Sequence, residues 1–200
     1  MPIDKKTLIV VGLGNPDDEH SHTRHNAGRD AAALIAKKFE FPAFLEDKKM
    51  QALRSEGKIG KRNVLVLLPQ TFMNKSGETF KKLGALSQKQ IAENVVVLHD
   101  DLDLPLGRIK LVKNRGSAGH KGVESVMRAL KTENFTRVRI GIAKASQIKK
   151  SQDDKTVIKI VIGKISPEDA QELKKVLKKA VTAIELLAEE GLEKAMNASN

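Results

Sequence analysis

Two hundred residues with 40% hydrophobic side chains suffice to bury a core, and the lack of cysteine excludes a disulfide framework, a thiol nucleophile and a Cys-based zinc site. No apolar run reaches membrane-spanning length and Met1 to Lys6 lacks the apolar stretch of a signal peptide, so a soluble, cytoplasmic protein is expected. The net charge of +11 is concentrated: from Arg108 to Lys150 there are twelve Lys or Arg against Glu124 and Glu133, a net of +10. Such a segment is either a solvated basic face or the footprint of a polyanion, most simply nucleic acid. With six Phe, no Trp and no Tyr, a grip on phosphate fits better than base stacking.

Leu8 to Val11 reads as a buried strand, ended by the abrupt turn Gly12-Leu13-Gly14-Asn15-Pro16. From Asn26 the pattern becomes helical, with Ala31, Leu34, Ile35 and Phe39 on one face. Met50–Ser55 and Asn63–Leu68 are expected to pair as a hairpin across a Glu56–Arg62 turn. Pro69 ends the second strand, and Gln70 to Gly77 forms another strand-to-helix junction before a short helix carrying Phe80 and Leu83. Ser87-Gln88-Lys89-Gln90 is a capping box. Val95–Leu98 is a candidate buried strand that empties into His99-Asp100-Asp101-Leu102-Asp103, and Ile109–Val112 is a further strand. The glycine-rich loop Gly116–Gly122 leads into a helix with Val123, Val126, Met127 and Leu130 on its stripe, and Val138–Ala143 is a strand. Residues 144–155 are expected to form a mobile loop, and Val157–Ile162 a strand or extended arm. Ser166-Pro167-Glu168-Asp169 supplies an N-cap, a proline at the first helical position and first-turn acids for a C-terminal helix over 166–190, closed by Gly191. No repeat or linker interrupts the chain, and one α/β domain over 1–200 accounts for it.

Four polar junctions follow strand-like runs: Asn15 with His25, Met73-Asn74, Asp100, and Gly119-His120. In a doubly wound sheet those strand ends converge, which is where ligands bind. Asp100 is the natural orienter for a histidine base, since a carboxylate accepting from one ring nitrogen leaves the other free to take a proton. A solvated acidic turn is the plainer account of His99 to Asp103. A metal reading of His20, His22 and His25 lacks a partner motif. Gly12-Leu13-Gly14 is no dinucleotide fingerprint, because its third glycine would fall at Asp17 and Asp17-Asp18 would repel a pyrophosphate. Neither a nucleophile elbow nor a P-loop occurs. The remaining inventory suits hydrolysis, by activated water, of an acyl bond on something heavily anionic.

Gly12 to Pro16, Thr23-Arg24-His25-Asn26-Ala27-Gly28, Thr71 to Gly77, His99 to Gly107, Gly116 to His120 and Arg137 to Ile142 resemble, in order and spacing, the signatures of bacterial-type peptidyl-tRNA hydrolase. The resemblance runs from about Thr7 to Asn197. It implies a three-layer α/β/α fold with a twisted mixed sheet, and a cytoplasmic, monomeric esterase that needs no metal or other cofactor. Such an enzyme cleaves the ester between a peptide's C-terminus and the 3′ ribose of tRNA. The same resemblance makes His25 the general base and Asp100 its partner. It assigns Asn15, Met73, Asn74, His120, Lys121 and His20 to the substrate, and Lys110, Lys113 and Arg139 to tRNA phosphate. Three positions depart from the family: Lys121 stands for an asparagine, His20 for a tyrosine and Asp17 for a glycine. The alternative reading is a non-catalytic RNA-binding relative of the same fold, like the plant splicing cofactors; the intact His25, Asp100, Asn15 and Asn74 set favours the enzyme.

Overall fold

The computed structural model describes residues 6–17, 23–81, 83, 86–148, 154–163 and 165–200. The apolar run near the start forms β1 (Leu8–Gly12) and the helical pattern after it forms α1 (Ala27–Lys38), entered through a single 3-10 turn at Arg24–Asn26. A short strand β2 (Leu45–Asp47) precedes the hairpin of β3 (Ala52–Ile59) and β4 (Arg62–Pro69). The hairpin strands are longer than their apolar cores suggested: pairing continues to Ile59↔Arg62, leaving Gly60 and Lys61 as the turn, with Gly60 at φ +54°. A 3-10 turn at Met73–Lys75 leads to α2 (Gly77–Lys81), and α3 (Gln88–Asn94) opens on the expected capping box. There the Ser87 hydroxyl accepts the Gln90 N–H at 3.2 Å, and the Ser87 N–H donates to the Gln90 carboxamide at 2.8 Å.

β5 (Val95–Pro105) runs well past Leu98, so Asp100 lies within a strand and not in the loop beyond it. The acidic residues keep strand geometry because β7 (Thr136–Ala143) continues alongside: Asp100 pairs with Ile140 and Asp101 with Gly141, before a register shift towards Pro105. β6 (Ile109–Lys113) precedes α4 (Lys121–Leu130), and α5 (Ala145–Ile148) follows β7. The stretch 144–155 is thus partly helical, with 149–153 outside the described residues.

Val157–Ile162 belongs to α6 (Asp154–Ile162), not to a strand. Its apolar residues fit both periods, since Val157, Ile160 and Val161 also recur at i, i+3 and i+4. No sheet neighbour fixes the extended alternative, and Ile160 and Val161 are buried by the helical one. The C-terminal helix α7 (Pro167–Glu190) is capped by Ser166, whose hydroxyl accepts the Asp169 N–H. Gly191 at φ +91° ends it and starts α8 (Leu192–Ser199), which sequence periodicity did not show.

Among the described residues seven strands form one sheet in the order β2-β3-β4-β1-β5-β7-β6. The central β4, β1, β5 and β7 are parallel, and the outer pairings are antiparallel. Alternation along each strand divides the interior in two. Leu8, Val10, Val96 and Leu98 pack with α1, α7 and α8, while Ile9, Val11, Val95 and Val97 pack with α2, α3 and α4. This is the expected three-layer α/β/α arrangement with a mixed sheet.

α1 lies against the sheet at Gly28, where a side chain would collide with the Leu98 carbonyl. Gly28→Ala is therefore expected to lower stability by about 1–3 kcal/mol through overpacking against rigid backbone. The denaturant midpoint checks this; an unchanged midpoint would mean that α1 can move off β5.

Candidate active site

The C-terminal ends of the parallel strands and the N-terminus of α4 enclose a cleft of about 490 Å³. Asn15, His25, Met73, Asn74, Asp100, His120 and Lys121 all line it, so the structure brings together seven of the residues singled out from sequence. His20 lies outside the described residues.

β5 determines where Asp100 points. Its even-numbered residues face α1 and α7, so Asp100 falls on the side of the turn that carries His25. Asp101 falls on the opposite face and meets Arg139. The Asp100 side chain is only 3% exposed and that of His25 is 18% exposed, yet the two meet at 2.9 Å between Oδ2 and Nδ1. The second carboxylate oxygen, Oδ1, lies 2.9 Å from Nε2 of His120.

The hydrogen-bond network fixes both tautomers. His120 caps α4: its Nδ1 accepts the Val123 N–H at 3.2 Å, so its proton sits on Nε2 and is donated to Asp100. An ionised carboxylate only accepts, so His25 donates from Nδ1 and keeps a lone pair on Nε2. His120, expected to bind substrate, lines the cleft with both its ring nitrogens engaged within the protein.

Electrostatics agree with that arrangement. Burial works against an ionised Asp100, but the two imidazoles outweigh it by charge and hydrogen bonding, and its pKa lies far below the ordinary carboxylate value. Burial also opposes a charged His25, and the Asp100 carboxylate more than compensates, so the His25 pKa is raised above 6.5.

Amide side chains complete the floor. Asn26 clamps the backbone of Asn15, its Oδ1 accepting the Asn15 N–H at 2.8 Å and its Nδ2 donating to the Asn15 carbonyl at 3.0 Å. Asn15 Oδ1 in turn accepts the Met73 N–H at 2.9 Å, tying the end of β1 to the turn after β4. Asn26 was visible in the sequence beside His25 but carried no sign of this role, because its partner is eleven residues away. Arg24, just before His25, is buried and donates to Asp169 in the first turn of α7 at 2.9 Å, while Lys144 meets the other Asp169 oxygen at 3.0 Å. Asn74 and Lys121 are exposed at the cleft, and Phe72, Val157, Ile158 and Val161 form its apolar wall.

The cations expected to hold phosphate separate into two groups. Register places Lys110 directly opposite Arg139 on the face shared with His99 and Asp101. Lys113 stands opposite Thr136 and shares the Leu111 side of β6, towards α7 and α8, because three residues along a strand reverse the face. Arg139 is already paired, its Nε 2.5 Å from Asp101. That hydrogen bond, opposed by burial, raises its pKa.

His25, Asp100 and His120 also form a group of metal-binding residue types, with ligand atoms within 4.8 Å of one another. The nitrogens facing the carboxylate are N–H donors here, and a protonated nitrogen has no lone pair for a metal. The donor set is organised for hydrogen bonding.

The strand ends thus gather a polarised imidazole, a buried carboxylate and several amides at one cleft of an α/β fold. The family model described as Peptidyl-tRNA hydrolase matches residues 9–200. The peptidyl-tRNA hydrolase of Syntrophotalea carbinolica is 38% identical over 96% of this chain and 96% of its own length, and that of Nostoc punctiforme 36% identical over 96% and 89%. The crystal structure of peptidyl-tRNA hydrolase from Acinetobacter baumannii superposes with a TM-score of 0.85 at 30% identity, covering 98% of this chain and 95% of that one. This chain belongs to the peptidyl-tRNA hydrolase family.

Replacing Asp100 by Asn removes the charge that holds the His25 proton and leaves burial unopposed. The His25 pKa is expected to fall below 6.5 in Asp100→Asn, read by NMR titration of the imidazole. A pKa unmoved by the substitution would show that Asp100 is not what raises it.

Proposed function

We propose that the chain hydrolyses the ester linking a peptide to the 3′ ribose of tRNA, with His25 as general base and Asp100 as its partner. The observation that carries this reading is the 2.9 Å contact of His25 Nδ1 with Asp100 Oδ2, an arrangement that leaves Nε2 for water at the cleft. Water attacks the ester carbon as His25 Nε2 takes its proton, and Asp100 stabilises the resulting imidazolium. The tetrahedral intermediate collapses by expelling the ribose 3′ oxygen, which receives that proton from His25. The products are a peptide carboxylate and tRNA with a free 3′ hydroxyl. Asn15 and Asn74 supply amide donors for the developing oxyanion and the attacking water.

Outside the cleft, Lys110 and Arg139 form a basic ladder that would hold tRNA phosphate, with Arg139 partly neutralised by Asp101. Lys121 adds a charge at the N-terminus of α4, where the helix dipole already favours anions, and this suits a phosphate near the terminal nucleotide. No helix among the described residues is long and apolar enough to cross a membrane. The reading takes the protein as a metal-independent cytoplasmic monomer.

Release of peptide from peptidyl-tRNA tests the proposal. His25→Ala is expected to lower turnover by roughly 10²–10⁴-fold while tRNA affinity is kept, and a chelator to leave the wild type unaffected. Full activity of His25→Ala would remove it from the mechanism.

A base acts only when deprotonated. Since the His25 pKa is raised, kcat/KM should fall as pH drops through a value above 6.5. A pH profile flat down to 5.5 would contradict this.

For Lys110→Ala, the slope of log affinity for tRNA against log salt should become shallower by about one unit. An unchanged slope would take Lys110 out of the phosphate contact.

A further inference from the structure

Beneath the cleft lies a second polar group that the hydrolytic mechanism does not use. Arg137, on β7, is 2% exposed and among the largest fully buried side chains. Its Nη2 donates to the carbonyls of Arg115 at 2.9 Å and Gly116 at 2.8 Å, and its Nη1 lies 3.2 Å from Nε2 of His99. His99 is itself buried and donates from Nδ1 to the Asp100 carbonyl at 2.7 Å, so its Nε2 is the acceptor for Arg137. The His99 ring then meets His120 edge-on, with centroids 4.8 Å apart.

The loop above needs such support. Asn114, Ala118 and Gly119 all have positive φ, at +54°, +52° and +78°, and two of them bear side chains that disfavour that region. Residues 114–116, 118 and 119 are exposed, and yet the loop must deliver His120 to Asp100 within hydrogen-bond distance. Two carbonyls at its start are fastened to a guanidinium rooted in the sheet, and its end rests on an imidazole held by the same guanidinium.

We propose that Arg137 and His99 are positioning residues: together they hold the glycine-rich loop so that His120 shares the Asp100 carboxylate with His25. This rests on the reading of His25 as the base. A fork is required, because only a planar guanidinium can reach two adjacent carbonyls and an imidazole at once. Sharing has a chemical consequence. A carboxylate that donates its acceptor capacity to two imidazoles polarises each less than it would polarise one. The charged or titratable groups around this cluster are His25, His99, His120, Asp100, Asp101 and Glu133, with Arg139 beside Arg137, Glu124 bonded to Ser117 of the loop and Lys121 at the loop's end.

The test is a double-mutant cycle on peptide release over pH 5–9 with the wild type, Arg137→Met, His120→Ala and the double variant. Each single variant should lose at least about tenfold in kcat with KM little changed, and both should move the acid limb to higher pH as Asp100 acts on His25 alone. The double variant should be no worse than the poorer single one, because both remove the same interaction. Losses that multiply, with an acid limb that stays in place, would reduce Arg137 to general structural support and overturn the proposal.

If Arg137→Met does not fold, the wild type still decides by imidazole ¹⁵N NMR. His99 should remain neutral with its proton on Nδ1 across pH 5.5–8, and the neutral His120 ring should carry its proton on Nε2. The reverse tautomer at either ring, or a protonated His99 in that range, would refute the arrangement. The NMR reading is independent of turnover, and loss of activity in His25→Ala reports on the base alone, so failure of either idea is seen separately.

Discussion

A carboxylate with almost no solvent access carries a negative charge that the fold must satisfy, and Asp100 does so through two imidazole N–H groups. An isolated buried charge costs several kcal/mol, so each missing donor would be felt strongly. The two donors come from different layers: His25 from the turn before α1, and His120 from the N-terminus of α4. One side chain thus pins the helical layers on opposite faces of the sheet to β5. Because the carboxylate accepts a hydrogen bond from each ring, each has one defined tautomer, and among the described residues His120 has both nitrogens engaged while His25 is held through Nδ1 alone.

Strand alternation then sorts the charged pairs. Asp100 faces the histidine, while its neighbour Asp101 faces Arg139 and the basic ladder that includes Lys110. The His25 pair and the Arg139 pair are therefore set on the two faces of one short stretch of β5, a few ångströms apart along the chain. The extension of that strand beyond Leu98 makes this possible, since a free loop would not keep consecutive aspartates pointing in opposite directions.

Support from a distance is equally specific. Arg24, beside His25 in sequence, is bound by Asp169 at the start of the C-terminal helix, across 145 residues. Burial disfavours a charged Asp169, but Lys144 and Arg24 outweigh it and lower its pKa. The same carboxylate receives Lys144 from the end of β7, so the turn of His25, the sheet and α7 meet at one ion-pair cluster. Asn26 plays the corresponding part towards β1, clamping Asn15 through two hydrogen bonds.

Local chemistry was readable along the chain. The buried runs of β1, β4, β5 and β7, the capping box at Ser87, the N-cap at Ser166 and the stop at Gly191 depend on neighbours a few residues away, so periodicity and turn chemistry determine them. The pairing of His25 with Asp100 was also legible, because both follow strand-like runs whose ends converge in such a sheet. Only the tertiary structure decided whether Val157–Ile162 coils or extends, since that apolar run fits either period and burial made the choice. It also decided that Lys110 and not Lys113 joins Arg139, that His120 turns inward to Asp100, and that Arg137 reaches His99. Those outcomes rest on cross-strand register and on contacts between residues tens of positions apart, which local sequence does not encode.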